Sequence, residues 1–188
     1  MARPRVQDKR GAITAAATRV IAEHGLSAPT AAIAKEADVS NGTLFNTFAT
    51  KADLLNQLFV ELKSELGATV MAGLPADGDL REQAWHVWCR WIDWGTSDPR
   101  KKRALAQLSA SHDITPASHA SADMAMAGAA VLLDKVRAAG ALRDAPVAFV
   151  VHIAEALADT TIAFMTQDPQ GADKHRAAGF AAMWHAMT

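Results

Sequence analysis

Much of what chemistry usually rests on is missing from this 188-residue chain. The single cysteine, Cys89, excludes an internal disulfide; between Trp88 and Arg90 in a predicted helix it reads as a small buried hydrophobe. Half the residues are hydrophobic, yet no stretch approaches the roughly 18 uninterrupted apolar residues of a membrane helix. The basic start, Met1 to Arg5, leads into an amphipathic segment with no signal-peptide apolar core. A soluble, cytoplasmic protein without a membrane partner is expected. His112, His119, His152, His175 and His185 are scattered, lacking the spacing of a helical metal site. No Ser-His-Asp order, glycine-rich phosphate loop or nucleophile elbow is found, so no metal, cofactor or catalytic residue is expected. Alternating strand patterns, internal repeats and low-complexity tracts are lacking too.

What is there is helical periodicity. Over 6–24, Ile13, Ala17, Val20 and Ile21 fall in one arc, with His24 in the last turn and Gly25 as a stop. From Lys51 to about residue 72, Leu54, Leu55, Leu58, Phe59, Leu62 and Leu66 repeat with period 3.6. After the breaker 73–78, helices are predicted over 79–94, from Pro99 behind Ser97 and Asp98, over 116–139 behind Thr115, over 144–167, and over 172–187. With two short helices between Pro29 and Thr47, the expectation is an all-α chain of nine helices. The chain is expected to divide after residue 51, into an N-terminal domain over 1–51 and a C-terminal domain over 52–188 joined by the long helix that starts near 51.

Those two short helices carry the most specific signal. Pro29 is placed at a first helical position, and Ile33, Ala34 and Ala37 share one buried side. Asp38-Val39-Ser40 breaks the helix, and Ser40 can cap the next one. Val39 and Leu44 then turn inward and Asn41, Thr43, Asn46 and Thr47 outward, a helix-turn-helix whose second helix can lie in a major groove. The charge agrees. Residues 1–51 hold seven basic side chains, Arg3, Arg5, Lys9, Arg10, Arg19, Lys35 and Lys51, against four acidic ones, a balance of +3. The remainder holds 12 basic and 16 acidic residues, -4, and the two sum to the formal -1 of the whole chain. The positive field that phosphate contacts require is therefore N-terminal.

Ile33-Ala34, Ala37-Asp38-Val39-Ser40, Gly42-Thr43-Leu44-Phe45 and Phe48-Ala49-Thr50-Lys51 together resemble the DNA-binding region of the TetR family of bacterial transcriptional regulators. The resemblance is strongest over about 10–60. It implies that Asn41 and Thr43 contact bases or phosphates, that Thr30 and Lys51 contact phosphate, and that Phe45 packs on the DNA backbone or a thymine methyl. Gly42 would allow close backbone approach. Ser40, Asn46 and Thr47 complete the expected DNA-binding set. Asp38 replaces the family's turn glycine and is expected at positive φ, which Asp tolerates. Phe45 and Thr47 stand where the family often has tyrosine or another aromatic, which removes hydroxyl contacts to phosphate. Ala31 and Ala32 replace longer polar side chains.

Further along, Trp85, Trp88, Trp91 and Trp94 fan across half of one helix, beside a polar stripe of His86, Arg90 and Asp93. They either fill a core or line an aromatic cavity. The resemblance, which implies a C-terminal effector domain, favours the cavity, with Trp85, Trp88, Trp91 and Phe164 as ligand residues. In the last two helices Val150, Ala154, Ile162, Phe180, Met183 and Trp184 form apolar stripes. They could close a monomer core, or a four-helix dimer interface as in the family. Arg100-Lys101-Lys102-Arg103 reads as a solvated basic face of the dimerisation domain, with a second nucleic-acid contact as the alternative. The function expected is a homodimeric repressor released from a palindromic DNA operator by a small hydrophobic or aromatic effector. The competing reading is a helical small-molecule-binding protein or enzyme with a vestigial helix-turn-helix.

Overall fold

The computed structural model describes residues 6–138 and 140–188. Arg3 and Arg5, counted in the positive N-terminal balance, and Ala139, the expected end of one helix, lie outside them. Among the described residues there are nine α-helices and no strand: α1 Val6–His24, α2 Thr30–Glu36, α3 Asn41–Thr47, α4 Lys51–Met71, α5 Leu80–Ser97, α6 Pro99–Ser109, α7 Pro116–Arg137, α8 Val147–Gln167 and α9 Ala172–Met187. A 3-10 turn, Pro169–Gly171, precedes α9.

Local chemistry sets most of these boundaries. Gly25, at φ 81°, takes the left-handed position that ends α1, and its N–H returns to the Ile21 carbonyl. Asp98 accepts from the backbone N–H groups of Arg100 and Lys101, with Pro99 behind it opening α6. Asp79 and Glu82 form a reciprocal capping box at the start of α5. α8 begins three residues later than the periodicity suggests, because Pro146 holds an extended conformation at its N-cap. Pro29 likewise stands as the extended N-cap of α2 rather than inside the helix.

Contacts divide the chain into two compact units, 1–64 with 98–123, and 65–97 with 124–188. This partition differs from a cut after residue 51. The first unit takes the start of α4 and all of α6, because α6 packs along α1 and buries Ala104, Leu105 and Leu108. Its remaining core comes from Ile13, Ala17, Val20 and Ile21 of α1, Ile33 of α2, Leu44 of α3, Phe48, and Leu54, Leu58 and Phe59 of α4. The basic run of α6 therefore belongs with α1. Arg100 lies 3.8 Å from Glu23, and Arg103 donates to the Ala22 carbonyl.

In the second unit α5, α8 and α9 enclose a core of Trp88, Ile92, Val150, Ala158, Ile162, Phe180 and Met187, with Ala84, Ala154, Met165 and Met183. The α8–α9 crossing is tight at Gly179. A Cβ there would collide with Thr161 Oγ1 and lie 2.8 Å from Trp88 Cζ2.

Candidate nucleic-acid interface and effector region

The helix-turn-helix is held by backbone geometry that its residues dictate. Ile33 and Ala34 bury the inner side of α2, and Ala37 ends it. Asp38 adopts φ 53°, as its place in the turn requires, at a cost for a non-glycine residue that Asp keeps small. Val39 N–H then reaches the Ala34 carbonyl at 3.0 Å and Asp38 N–H the Lys35 carbonyl at 3.2 Å, the paired bonds of a Schellman C-cap. Ser40 is extended, and its Oγ accepts from Thr43 N–H at 3.1 Å, capping α3. A second reciprocal pair, Thr50 with Asp53, starts α4.

With Leu44 and Phe48 buried, α3 presents Asn41, Gly42, Phe45 and Asn46 to solvent, while Thr43 and Thr47 are half-buried. The hydroxyls are largely spent inside the motif: Ser40 Oγ and Thr43 Oγ1 lie 3.0 Å apart, and Thr47 Oγ1 donates to the Thr43 carbonyl at 2.9 Å. Thr43 and Thr47 thus differ from the freely outward groups that periodicity suggests. A Cβ at Gly42 would meet only Ser40 Oγ, at an ordinary 3.7 Å, so the fold itself does not demand glycine there. Thr30 opens α2, half-buried, with no hydrogen bond from its hydroxyl among the described residues.

Lys51, expected at a phosphate, is engaged within the chain. Its Nζ donates to the carbonyls of Leu26 and Ala28, at 2.6 and 2.7 Å, tying α4 to the link between α1 and α2. The sequence holds no signal for this bond, whose acceptors are backbone groups more than twenty residues away. Other cations are engaged as well. Arg19 pairs with Glu36 at 2.6 Å, and Arg10 stacks over Phe48, 4.9 Å from its ring centre, and approaches Glu61. Among the described residues of 1–51, Lys9 and Lys35 carry no ion pair. Lys35, exposed on α2, is absent from the contacts expected from the sequence. Its place outside the Ile33, Ala34, Ala37 arc is the signal that could have found it.

The tryptophans do not converge on one cavity. Trp88 is buried against Phe180 and donates Nε1–H to the Arg176 carbonyl at 3.0 Å; Trp94 is buried and donates to Glu65 Oε1. Trp91 is half-buried against the same core as Trp88. Trp85 lies at the surface, edge-on to Phe180, in an open groove with Arg81, Glu82, Ala177 and Ala181. Phe164 is exposed and lies beside His175, away from that groove's lining. The polar stripe of α5 is engaged too, His86 with the Ala72 carbonyl, Arg90 with the Thr69 carbonyl and Asp93 with Arg176 at 2.7 Å. A helix whose apolar residues span half its circumference meets several neighbours, so its aromatics separate rather than gather.

Val150, Ala154, Ile162, Phe180 and Met183, expected at a dimer interface, are buried within one chain, and Trp184 is half-buried beneath Arg81. The opposite side of α8 is left open: Phe149 is 54% and Phe164 52% exposed, with Ala156 and Ala163 between them. α8 is apolar enough in length and composition to cross a membrane, with mean hydropathy 1.6, because it is apolar on both sides. Cys89, half-buried, has its thiol pushed above the usual range by burial, with Arg176 beside it pulling the other way.

Residues 13–58 match the model of the tetR family of bacterial regulatory proteins. The fold resembles that of a tetR-family transcription regulator from Shewanella sp. PV-4, at 28% identity and TM-score 0.84, covering 95% of this chain and 97% of that one. A TetR-family transcription regulator from Marinobacter aquaeolei VT8 matches at 25% identity and TM-score 0.79, over 96% and 95%. The fold is also that of the TetR-like regulator LfrR from Mycobacterium smegmatis, solved with proflavine, at 20% identity and TM-score 0.69 over 94% and 95%. The helix-turn-helix thus matches the tetR family model, and the fold over nearly all the chain is similar to that of TetR-family transcription regulators.

Proposed function

We propose that the protein is a cytoplasmic, homodimeric repressor that leaves a palindromic operator when a small hydrophobic or aromatic effector binds its C-terminal region. The observation that carries the operator reading is α3. A capped helix on a fixed turn presents Asn41, Gly42, Phe45 and Asn46 to solvent, with the inner side closed by Leu44 and Phe48. Asn41, Phe45 and Asn46 would meet base edges, Thr43 and Thr30 phosphate, and Gly42 would let the helix approach closely. Ser40 and Thr47 hold the helix in shape. Lys9 and Lys35, without an ion pair among the described residues, would supply positive charge to the phosphates.

The second copy is supported by α8. Phe149, Ala156, Ala163 and Phe164 make an apolar strip on the side away from the core, and two copies related by a two-fold axis would bury it against itself. A dimer would set two α3 helices toward successive major grooves, hence the palindrome. The effector reading rests on fold kinship with a regulator solved with proflavine, and on the aromatic wall of Trp85 and Phe180. An effector can release DNA only by preferring the conformation that does not fit the operator.

Selection of bound duplexes from a random-sequence pool tests this. The expected product is an inverted repeat with half-sites about one helical turn or a multiple apart. An enriched site with no two-fold symmetry would overturn the dimeric reading, and absence of enrichment the operator reading.

A further inference from the structure

We infer that α3 reads A·T base pairs, so that the part of each half-site facing this helix holds thymine against Phe45 and adenine against Asn46. This rests on the operator reading proposed above and concerns the chemical class of the sequence recognised.

The starting point is what α3 lacks. Its seven residues, Asn41–Thr47, include no charged side chain. Guanine is most often recognised by a bidentate Arg or Lys on O6 and N7, and cytosine by a carboxylate accepting from N4. α3 offers neither. The hydroxyls of the motif are engaged first within it, Ser40 and Thr43 with each other at the cap and Thr47 with the Thr43 carbonyl, which leaves Thr43 for a phosphate rather than a base edge.

What is left is selective. The side-chain amides of Asn41 and Asn46 are exposed and make no hydrogen bond within the described residues. An Asn amide, with one acceptor and a paired donor, matches adenine N6 and N7. Phe45 is 45% exposed, and an aromatic edge in a major groove finds its apolar partner in the thymine C5-methyl. Gly42 lies one turn before Asn46 on the same side and has no internal need to be glycine, which leaves room for a base edge beside the Asn46 amide. Asn41 and Phe45 are paired in the same way. The four positions thus form one stripe with apolar and amide character and no charge, and A·T pairs offer that combination: a methyl group on one base and an N6/N7 edge on the other.

The experiment uses the full chain and a duplex enriched from a random pool. At the half-site positions, each A·T pair is replaced by G·C, and each thymine separately by uracil, which lacks only the methyl group. Affinity is read by fluorescence anisotropy at one salt concentration for the wild type, Phe45→Ala and Asn46→Ala. Both side chains are exposed, and circular dichroism checks that the variants fold. For wild type, one A·T to G·C exchange should cost roughly 5- to 150-fold in affinity, and Asn46→Ala should bind the two duplexes alike. Uracil at a neighbouring position should weaken wild type several-fold and leave Phe45→Ala unaffected. Selected half-sites in which Asn46→Ala or Phe45→Ala relaxes a preference for G·C would overturn the inference while leaving the operator reading intact. A pool that yields no enriched sequence would overturn both.

Discussion

Replacing Lys51 separates two roles that the sequence alone cannot tell apart. Lys51→Met keeps the length and apolar body of the side chain but deletes the ammonium that bonds the Leu26 and Ala28 carbonyls at 2.6 and 2.7 Å. A hydrogen bond to a charged group contributes about 1.5–3 kcal/mol when removal leaves its partner unsatisfied. Here the two acceptors share one charge and the site is only half-buried, so water replaces part of the loss; about 2 kcal/mol for the pair is expected. With a urea m-value of about 1–3 kcal/mol/M, the unfolding midpoint should fall by about 1 M. The DNA measurement runs in parallel. A lysine that neutralises a phosphate contributes about 0.9 to the slope of log affinity against log salt. Lys51→Met should leave that slope unchanged under conditions where the variant is folded. An unchanged midpoint with a slope lowered by about 0.9 would show that Lys51 grips DNA and that its carbonyl bonds contribute nothing.

On the two sides of α8 and α9, matched charges should act differently. Phe149→Glu should yield a folded monomer by sedimentation, whereas Phe180→Glu, which puts a carboxylate among Trp85, Trp88 and Trp184, should cost more than about 3 kcal/mol and unfold the second unit; a folded monomer from Phe180→Glu would place the interface on the side assigned to the core. Cys89 should alkylate slowly near pH 8, since burial raises its thiol above the ordinary thiol range and the thiolate grows only as pH climbs further. A rate equal to that of a free thiol at the same pH would mean that the α5–α9 contact opens readily.

Two apolar sides on one helix explain why periodicity alone cannot separate a core stripe from an interface stripe on α8. α8 carries Val150, Ala154, Ala158, Ile162 and Met165 on one side and Phe149, Ala156, Ala163 and Phe164 on the other. Periodicity marks both as apolar, and only α5 and α9 decide which of them the monomer uses. The tryptophans of α5 show the same ambiguity, since an indole in a core and an indole on a cavity wall have the same spacing. Their fates were set by partners on other helices, Phe180 and the Arg176 carbonyl for Trp88 and Glu65 for Trp94.

The sequence by itself determined many features whose cause lies within four or five residues: the helix ends at Gly25, Asp98 and Ser40, the positive φ of Asp38, and the helix-turn-helix motif. These features follow from backbone sterics and the reach of short polar side chains, which neighbouring residues settle. Tertiary structure alone decided that α6 joins α1, that Lys51 anchors a link rather than standing free, and which side of α8 is closed. Those outcomes depend on long-range contacts between groups whose apolarity or charge fits several partners equally well. Only the assembled packing selects among them.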